Sequence, residues 1–308
     1  MTSSAMTSAL APTAVVPAPI GAAPIVLDLD HSVGTLDGAI RLPLADWQEA
    51  IRFGCSWRCL RAFDRVLNAQ LPERYGSVFT GSGDFHHLTW LLVRRLSARA
   101  PFRVLVFDNH PDNMRYPFGI HCGSWVRHVA QLPWVTRVDV VGITSTDIGA
   151  RHAWENYLRP LRAGRVRYWS VGVNTHWASR LGLAAAFRSF DSMADLLARL
   201  HDELRLDASP IYLSIDKDVL HPDVVRTNWD QGQLREAALL ETIELLRGRL
   251  VGSDITGEIS SYRYRSRWKR WLSNADGQTP VEPSELCAWQ TQQHALNVRL
   301  LEQLAQAG

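Results

Sequence analysis

The sequence has few cysteines and no long hydrophobic run. Its 308 residues include only four cysteines, and their positions fit neither a zinc-binding spacing nor a disulfide framework. A chain of this kind is expected in a reducing compartment, so we expect a cytoplasmic protein. No stretch reaches about 18 uninterrupted apolar residues, the length that a transmembrane helix needs. The first residues also lack the basic segment that opens a signal peptide.

An excess of charge of one sign is also absent. The chain carries 33 basic and 31 acidic residues, a formal net charge of +2. This balance gives no reason to expect a nucleic-acid or membrane partner. Basic residues and aromatics do alternate near residues 262–271, and we interpret this cluster as a subunit interface or a contact for an acidic group. Its basic members are Arg263, Arg265, Arg267, Lys269 and Arg270. We therefore expect a homo-oligomer that acts on a small molecule.

The order of the predicted elements favours an α/β protein. Residues 1–24 are uncharged and rich in alanine and proline, which predicts a disordered tail. From residue 25 to residue 308, predicted strands and helices alternate, as in a mostly parallel sheet with helices on both faces. We see no internal boundary and predict a single domain. The predicted helices include Leu44–Leu67, His87–Ala98 and Cys287–Gln306.

A hydrophobic segment followed by alternating polar residues stands out in the middle of the chain. Arg103–Phe107 is predicted to be a buried strand, and Asp108, His110 and Asp112 follow it at every second position. Alternate side chains of an extended segment point the same way, so these three converge beyond the carboxyl end of the strand. Open α/β sheets bind ligands there. Carboxylates with one imidazole suit a divalent metal, although a polar turn would give the same pattern.

A second segment repeats this arrangement. Ile211–Ile215 is again strand-like, and Asp216 and Asp218 follow it at alternate positions. Two parallel strands that end in acids can face one pocket, where the four carboxylates would repel one another strongly in the absence of cations. We therefore expect the two segments to bind metal together.

These segments resemble the signature blocks of the ureohydrolase family, the arginases and agmatinases. D-N-H-P-D, from Asp108, and S-I-D-K-D, which ends at Asp218, are similar to the two acidic blocks, with His221-Pro222 in place of the family's Asp-Pro. Gly81–Thr89, G-S-G-D-F-H-H-L-T, resembles the third block, G-G-D-H-S, with one residue more. The resemblance implies a three-layer α/β/α fold with a mostly parallel sheet, like that of arginase.

The resemblance also implies a ligand set for two divalent ions. Asp108 and Asp216 would bridge the ions, His86 and Asp112 would complete one site, and His110 and Asp218 would complete the other. Mn²⁺ is the implied metal, while nickel, iron and cobalt remain open. The inserted Phe85 leaves a choice between His86 and His87 as the histidine ligand.

Four further residues are implied to act on the substrate. His121 would transfer protons, because an imidazole titrates near working pH. Glu258 would hold an amidino group through paired hydrogen bonds. Trp229 and Asp230 lie in a segment, Arg226–Gln233, that replaces a glycine- and proline-rich loop of the family, and they would contact the substrate. The implied reaction is hydrolysis of a C–N bond in a guanidino or amidino compound, with release of urea or a related product.

Two other functions fit the same residues. One is a metal-dependent deacetylase or amidohydrolase on a related sheet, which the adjacent His86 and His87 suggest. The other is a non-catalytic interaction protein that retains the fold. The number of ions bound per subunit, two, one or none, would separate the three functions. The substrate itself is not predicted by the sequence, although the altered loop argues against arginine and agmatine.

Overall fold

The computed structural model describes residues 22–97, 100–266, 269–270 and 281–308. Most of the predicted tail, residues 1–21, lies outside these ranges, as do Arg267, Trp268 and Trp271 of the basic and aromatic cluster.

Within the described residues, nine strands form one sheet in the order β2-β1-β4-β11-β10-β5-β7-β8-β9, and every neighbouring pair is parallel. The strands are β1 Ile25–Asp28, β2 Ile40–Pro43, β4 Val78–Gly81, β5 Phe102–Phe107, β7 Val135–Ile143, β8 Val166–Val171, β9 Phe187–Phe190, β10 Ile211–Asp216 and β11 Leu250–Thr256. A separate antiparallel pair consists of β3 Gly54–Cys55 and β6 Ile120–His121.

Helices cover both faces of the sheet. They are α1 Gln48–Ile51, α2 Trp57–Gln70, α3 Thr89–Arg94, α4 Val126–Val129, α5 Leu158–Arg162, α6 His176–Arg180, α7 Met193–Leu206, α8 Glu236–Leu245 and α9 Pro283–Ala307. Val104 and Val106 of β5 pack in a core with α2 to α6. Leu105 and Phe107 of the same strand pack in a second core with α7, α8 and α9. Alternate residues of a central strand therefore face opposite layers, and the predicted α/β/α fold with a mostly parallel sheet is confirmed.

One predicted helix, Leu44–Leu67, is wrong as a single element. It is divided into α1 and α2 by a turn at Phe53, whose φ of +68° is left-handed, and by strand β3. Ser56 then caps the new helix, since its side chain accepts a hydrogen bond from the backbone N–H of Cys59. The buried Arg52 guanidinium holds the turn in place by an ion pair of 2.7 Å with Asp84.

Among the described residues, no helix has both the length and the apolar character that crossing a bilayer requires.

Candidate functional site

The two acidic segments meet at the centre of the sheet. β5 and β10 are hydrogen-bonded neighbours, with Phe107 opposite Ile215, so Asp108 and Asp216 leave the sheet side by side. Both strands are buried along their whole length, which matches their mainly hydrophobic sequences. The site therefore lies at the carboxyl edge of the sheet, as the sequence predicts.

Backbone N–H groups orient three of the carboxylates. The N–H of His110 donates to Oδ1 of Asp108 at 2.6 Å, and that of Asp218 donates to Oδ1 of Asp216 at 3.1 Å. The N–H of Asn109 donates to Oδ1 of Asp218 at 3.1 Å. In each carboxylate the second oxygen, Oδ2, is left to face a histidine. The Oδ2 atoms of Asp108 and Asp216 therefore face His86, and that of Asp218 faces His110.

His86 lies among these carboxylates, and His87 does not. The His86 Nδ1 atom lies 3.2 Å from Oδ2 of Asp108, 3.1 Å from Oδ2 of Asp112 and 3.4 Å from Oδ2 of Asp216. A 3-10 helix, Gly83–Leu88, carries both histidines away from the end of β4. The ring of His87 is fully buried, and neither of its nitrogens has a hydrogen-bond partner among the described residues.

Hydrogen bonds fix the tautomer of His86. Ser214 donates its hydroxyl proton to Asp254 at 2.8 Å, so its oxygen accepts a hydrogen bond from Nε2 of His86 at 3.0 Å. Asp254 is held in turn by the hydroxyls of Thr89 and Tyr212, at 2.9 and 2.6 Å. The proton of His86 therefore lies on Nε2, and the lone pair on Nδ1 faces the carboxylates.

His110 is oriented in the same way from the other side. Its Nε2 donates to Oδ1 of Asp230 at 2.7 Å, and its Nδ1 lies 2.9 Å from Oδ2 of Asp218 and 3.5 Å from Oδ1 of Asp108. Asn109 anchors Asp230, because its side-chain amide donates to Oδ2 of Asp230 at 3.1 Å. Asp230, which we predicted to contact the substrate, thus orients a histidine from the rim of the cleft.

The buried carboxylates of this cluster require nearby positive charge if all of them are to be ionised. Burial and the charge of Asp108 raise the pKa of Asp112 and that of Asp218 to about 7. Burial and the charge of Asp218 raise the pKa of Asp216 well above its usual value. Burial acts to raise the pKa of Asp108 as well, but its close contacts with the rings of His110 and His86 outweigh burial and lower that pKa. Like charges buried this closely ionise together only when cations neutralise them.

The residues present fit two divalent cations. His86, Asp108 and Asp112 form one group of converging ligand atoms, and Asp108, His110 and Asp218 form a second, so that Asp108 belongs to both. Among the described residues, His86 Nδ1 and Asp108 Oδ2 are buried atoms with no hydrogen-bond partner. Asp216 faces the same centre from the end of β10. Hard oxygen donors with two imidazoles suit manganese and its neighbours in the transition series.

A cleft of about 510 Å³ opens above this cluster. Its walls include Gly83, Met114, His121, Gly123, Asp147, His152, Glu155, Trp229 and Asp230. Nδ1 of His121 accepts a hydrogen bond of 3.0 Å from the backbone N–H of Gly123, so the neutral ring carries its proton on Nε2. Burial, followed by the charges of Arg127 and His128, lowers the pKa of His121 to about 3. The imidazole is therefore neutral, and a pKa this far below working pH does not support the proton transfer that we predicted for His121.

The indole of Trp229 forms one wall of the cleft. It stacks on Phe53 with ring centroids 6.4 Å apart, and Phe53 stacks in turn on His121 at 6.0 Å. A Cβ atom at Gly83 would lie 3.1 Å from the Trp229 ring and 3.2 Å from Oδ2 of Asp216. Glycine at this position therefore lets the indole approach the carboxylate cluster.

Glu258 is not among the residues that line the cleft, so the structure gives no support to our prediction that it holds the substrate. Its carboxylate forms an ion pair of 2.6 Å with the fully buried Lys217 and accepts a hydrogen bond of 2.6 Å from Asn297 of α9. Lys217 lies between two of the acidic residues in sequence, but its side chain points behind them. The buried ammonium draws Glu258 to the side of β10 that faces away from the cleft.

Sequence reasoning missed three residues at the mouth of the cleft. Asp147 lies in the segment that follows β7, four residues beyond its end, so a search for acids a short distance past each strand would have found it. His152 and Glu155 belong to the loop beyond Asp147 and have no such signal. Nδ1 of His152 lies 3.1 Å from the Glu155 carboxylate.

Comparison with known proteins agrees with this geometry. A model of the arginase family matches residues 57–260, which is more than half of the chain. The chain belongs to the arginase family.

Two solved structures share the fold across most of the chain. Proclavaminate amidino hydrolase from Streptomyces clavuligerus is 17% identical, covers 97% of this chain and 99% of its own, and gives a TM-score of 0.52. Arginase from Bacillus subtilis is 14% identical, with coverages of 93% and 98% and a TM-score of 0.51. At these identities the similarity concerns the fold alone.

A protein of undescribed function from Thermotoga maritima is 30% identical over 189 residues, which are 61% of this chain. The chain spans 60% of the length of that relative.

Proposed function

We propose that residues 25–308 form a hydrolase that uses two divalent metal ions to cleave a C–N bond of a guanidino or amidino compound. The observation that carries this proposal is the opposed pair of histidines. His86 and His110 both direct Nδ1 at carboxylates that share Asp108, while their Nε2 atoms are held by the outer acceptors Ser214 and Asp230. Membership of the arginase family supports metal-dependent hydrolysis of this type.

The ligands divide between the two ions. His86 and Asp112 would hold one ion, His110 and Asp218 would hold the other, and Asp108 and Asp216 would bridge them. Mn²⁺ is the first choice of metal, and the donor set also suits nickel, iron or cobalt. When bound, such a pair activates water for attack on a trigonal carbon and stabilises the negative charge that develops.

The residues of the cleft favour a cationic, planar substrate group. Among the described residues that line the cleft, none is lysine or arginine, while Asp147, Glu155 and Asp230 are acidic. The face of Trp229 provides a flat surface for a delocalised cation. The Nε2–H of His121 points a donor into the same space and would orient the reacting group or its leaving nitrogen. These residues would bind the substrate and orient it.

Trp229 also restricts which compounds can fit in the cleft. The indole fills the space beside Gly83 and Asp216, where a smaller loop would leave room. We therefore expect weak activity on arginine and agmatine and stronger activity on another guanidino or amidino compound.

Metal analysis followed by a screen of guanidino and amidino compounds tests the proposal. We expect two ions per subunit and release of urea or of a related amide. One ion with deacetylase activity would favour the related amidohydrolase, and absence of metal would favour an interaction protein. Either result, or efficient hydrolysis of none of the compounds by the protein with two ions bound, would overturn the proposed function.

A further inference from the structure

The two histidines of the candidate metal centre are oriented in different surroundings. His86 and its partner Ser214 are only 1% and 0% exposed. The side chain of His110 is 15% exposed, and that of Asp230, which accepts its Nε2 hydrogen bond at 2.7 Å, is 67% exposed. One proposed ion position is therefore enclosed by the core of the fold, whereas the histidine of the other is oriented by a residue at the boundary with solvent.

Asn109 holds Asp230 against His110. Its side-chain amide donates to the backbone carbonyl of Asp230 at 3.0 Å and to Oδ2 of the same residue at 3.1 Å. The amide oxygen of Asn109 accepts in turn from the backbone N–H and the hydroxyl of Thr144, at 3.0 and 2.6 Å. The backbone N–H of Asn109 orients Asp218. These hydrogen bonds fix the Asp230 carboxylate beside His110, although Asp230 is largely exposed.

The residue before Asp230 forms a wall of the cleft and also contacts His110. The Trp229 ring meets the His110 ring edge-on, with centroids 6.0 Å apart and planes inclined at 69°. Further along the same loop, the backbone N–H of Gly232 donates to the carbonyl of Asp218 at 2.7 Å. The loop thus contacts both residues proposed to hold one ion, so a movement of His110 would also move Trp229.

We propose that Asp230 is a positioning residue that sets the affinity of the ion held by His110 and Asp218, and that this ion in turn fixes the loop carrying Trp229. A ligating histidine whose outer N–H is bound by a carboxylate keeps one orientation and is a stronger ligand, an effect of about 10–100-fold in metal affinity. The ion at His86 has no such link to the loop. The inference rests on the proposed function, because it requires both ion positions.

Equilibrium dialysis of the metal-loaded protein against graded concentrations of free Mn²⁺, followed by elemental analysis, tests the role of Asp230. Asp230→Ala should weaken the binding of one ion by about 10–100-fold and leave the other as in the wild type. Asp223→Ala is the matched control and should bind both ions normally. Asp223 is 69% exposed and lies 3.2 Å from a histidine, His221, that is not a proposed ligand. Wild-type affinity for both ions in Asp230→Ala, or equal weakening of both, would overturn the assignment.

Hydrogen exchange measured by mass spectrometry tests the link to the loop. In the wild type, amides of residues 226–233 should exchange faster with one ion bound than with two, because the weaker ion no longer fixes the loop. In Asp230→Ala the exchange of this segment should not depend on the second ion. Equal exchange in the wild type with one and two ions would remove the coupling.

The wild type separates failure of this inference from failure of the proposed function. Fewer than two ions in the wild type would overturn both. Two ions in the wild type together with unchanged affinities in Asp230→Ala would overturn the inference alone.

Discussion

Asp108 is the residue on which both metal positions depend. Its Oδ1 lies 3.5 Å from Nδ1 of His110, and its Oδ2 lies 3.2 Å from Nδ1 of His86. The other members of the two ligand groups each belong to one group only. Removal of Asp108 therefore affects both metal positions, whereas removal of an unshared ligand affects only one.

We predict that Asp108→Ala abolishes the binding of both ions, whereas Asp218→Ala retains one. The reason is that the first variant removes an oxygen from each group and the second removes one from a single group. Elemental analysis after dialysis against Mn²⁺ measures the difference. Asp147→Asn, which changes a carboxylate of the cleft wall outside both groups, is the matched control and should bind two ions. Two ions in Asp108→Ala would rule out its bridging role.

The neighbouring histidines give a second prediction at the scale of the residue. His86→Leu should lose at least one ion, because it removes a ligand nitrogen. His87→Leu should keep both ions and unfold at the same or a higher urea concentration, since it replaces a buried ring whose two nitrogens lack hydrogen-bond partners among the described residues. Metal content and urea unfolding of both variants provide the comparison. Loss of metal in His87→Leu alone would transfer the ligand role to that residue.

At the scale of the element, the buried ion pair of Lys217 and Glu258 joins three parts of the fold. It connects the ends of β10 and β11, and Asn297 attaches α9 to it, with hydrogen bonds of 2.6 Å to Glu258 and 3.0 Å to Lys217. Gly257, with a φ of +87°, makes this approach possible, because a Cβ atom there would collide with Oδ1 of Asp216. The Lys217–Glu258 ion pair is therefore packed close to Asp216, one of the proposed metal ligands.

We predict that Lys217→Met lowers the free energy of unfolding by about 3–5 kcal/mol, because it leaves a buried carboxylate without its partner. The double variant Lys217→Met/Glu258→Gln should recover most of this loss, since neither charge then remains. Urea unfolding measures both. Arg205→Ala, which breaks an exposed ion pair with Asp202, is the control and should change stability little. Equal stability of the single and double variants would show that the pair is not coupled.

Elements with a strong hydrophobic signal were predicted well, and those set by distant contacts were not. The buried strands β5 and β10 were evident because mainly apolar segments ended in acids. The helical pattern of Leu44–Leu67 continued through Arg52 and Phe53, and only the contacts of Arg52 with Asp84 reveal the break. Strand β2 has one buried residue of four and offers almost no pattern. Local sequence reports burial, whereas these features depend on partners elsewhere in the chain.

At the scale of the whole molecule, buried neutral histidines link stability to pH. Burial and the charges of Arg127 and His128 lower the pKa of His121 to about 3. Below pH ~6.5 the unfolded chain binds a proton at this histidine that the folded protein does not bind, so the free energy of unfolding falls as pH decreases.

We predict that His121→Asn removes about 2 kcal/mol of the decrease in unfolding free energy between pH 7 and pH 5, as a pKa displaced below this range requires. Urea unfolding of the metal-loaded protein at the two pH values measures this difference. His176→Asn, at an exposed position, is the control and should follow the wild type. An identical pH dependence in His121→Asn would mean that the imidazole is not held neutral by its surroundings.

The acidic residues and histidines of the candidate site were predictable, because strand ends and alternation determine which side chains converge. The residues that orient these side chains were not predictable. Nothing local shows that Asp230 binds His110 across 120 positions of sequence, or that Lys217 withdraws Glu258 from the cleft. Such contacts arise from how loops pack on the finished sheet, and periodicity carries no information about them.

The place of β11 in the sheet has a consequence for biosynthesis. This strand is the last of the sheet to leave the ribosome, yet it lies between β4 and β10 and joins β2-β1-β4 to the remaining strands. Until residue 256 has emerged, the nascent chain holds two half-sheets whose facing edges have unsatisfied backbone groups. Such edges invite pairing with other chains. The protein therefore depends on rapid closure by its final strand, and a chain truncated before Leu250 should be retained by chaperones or aggregate.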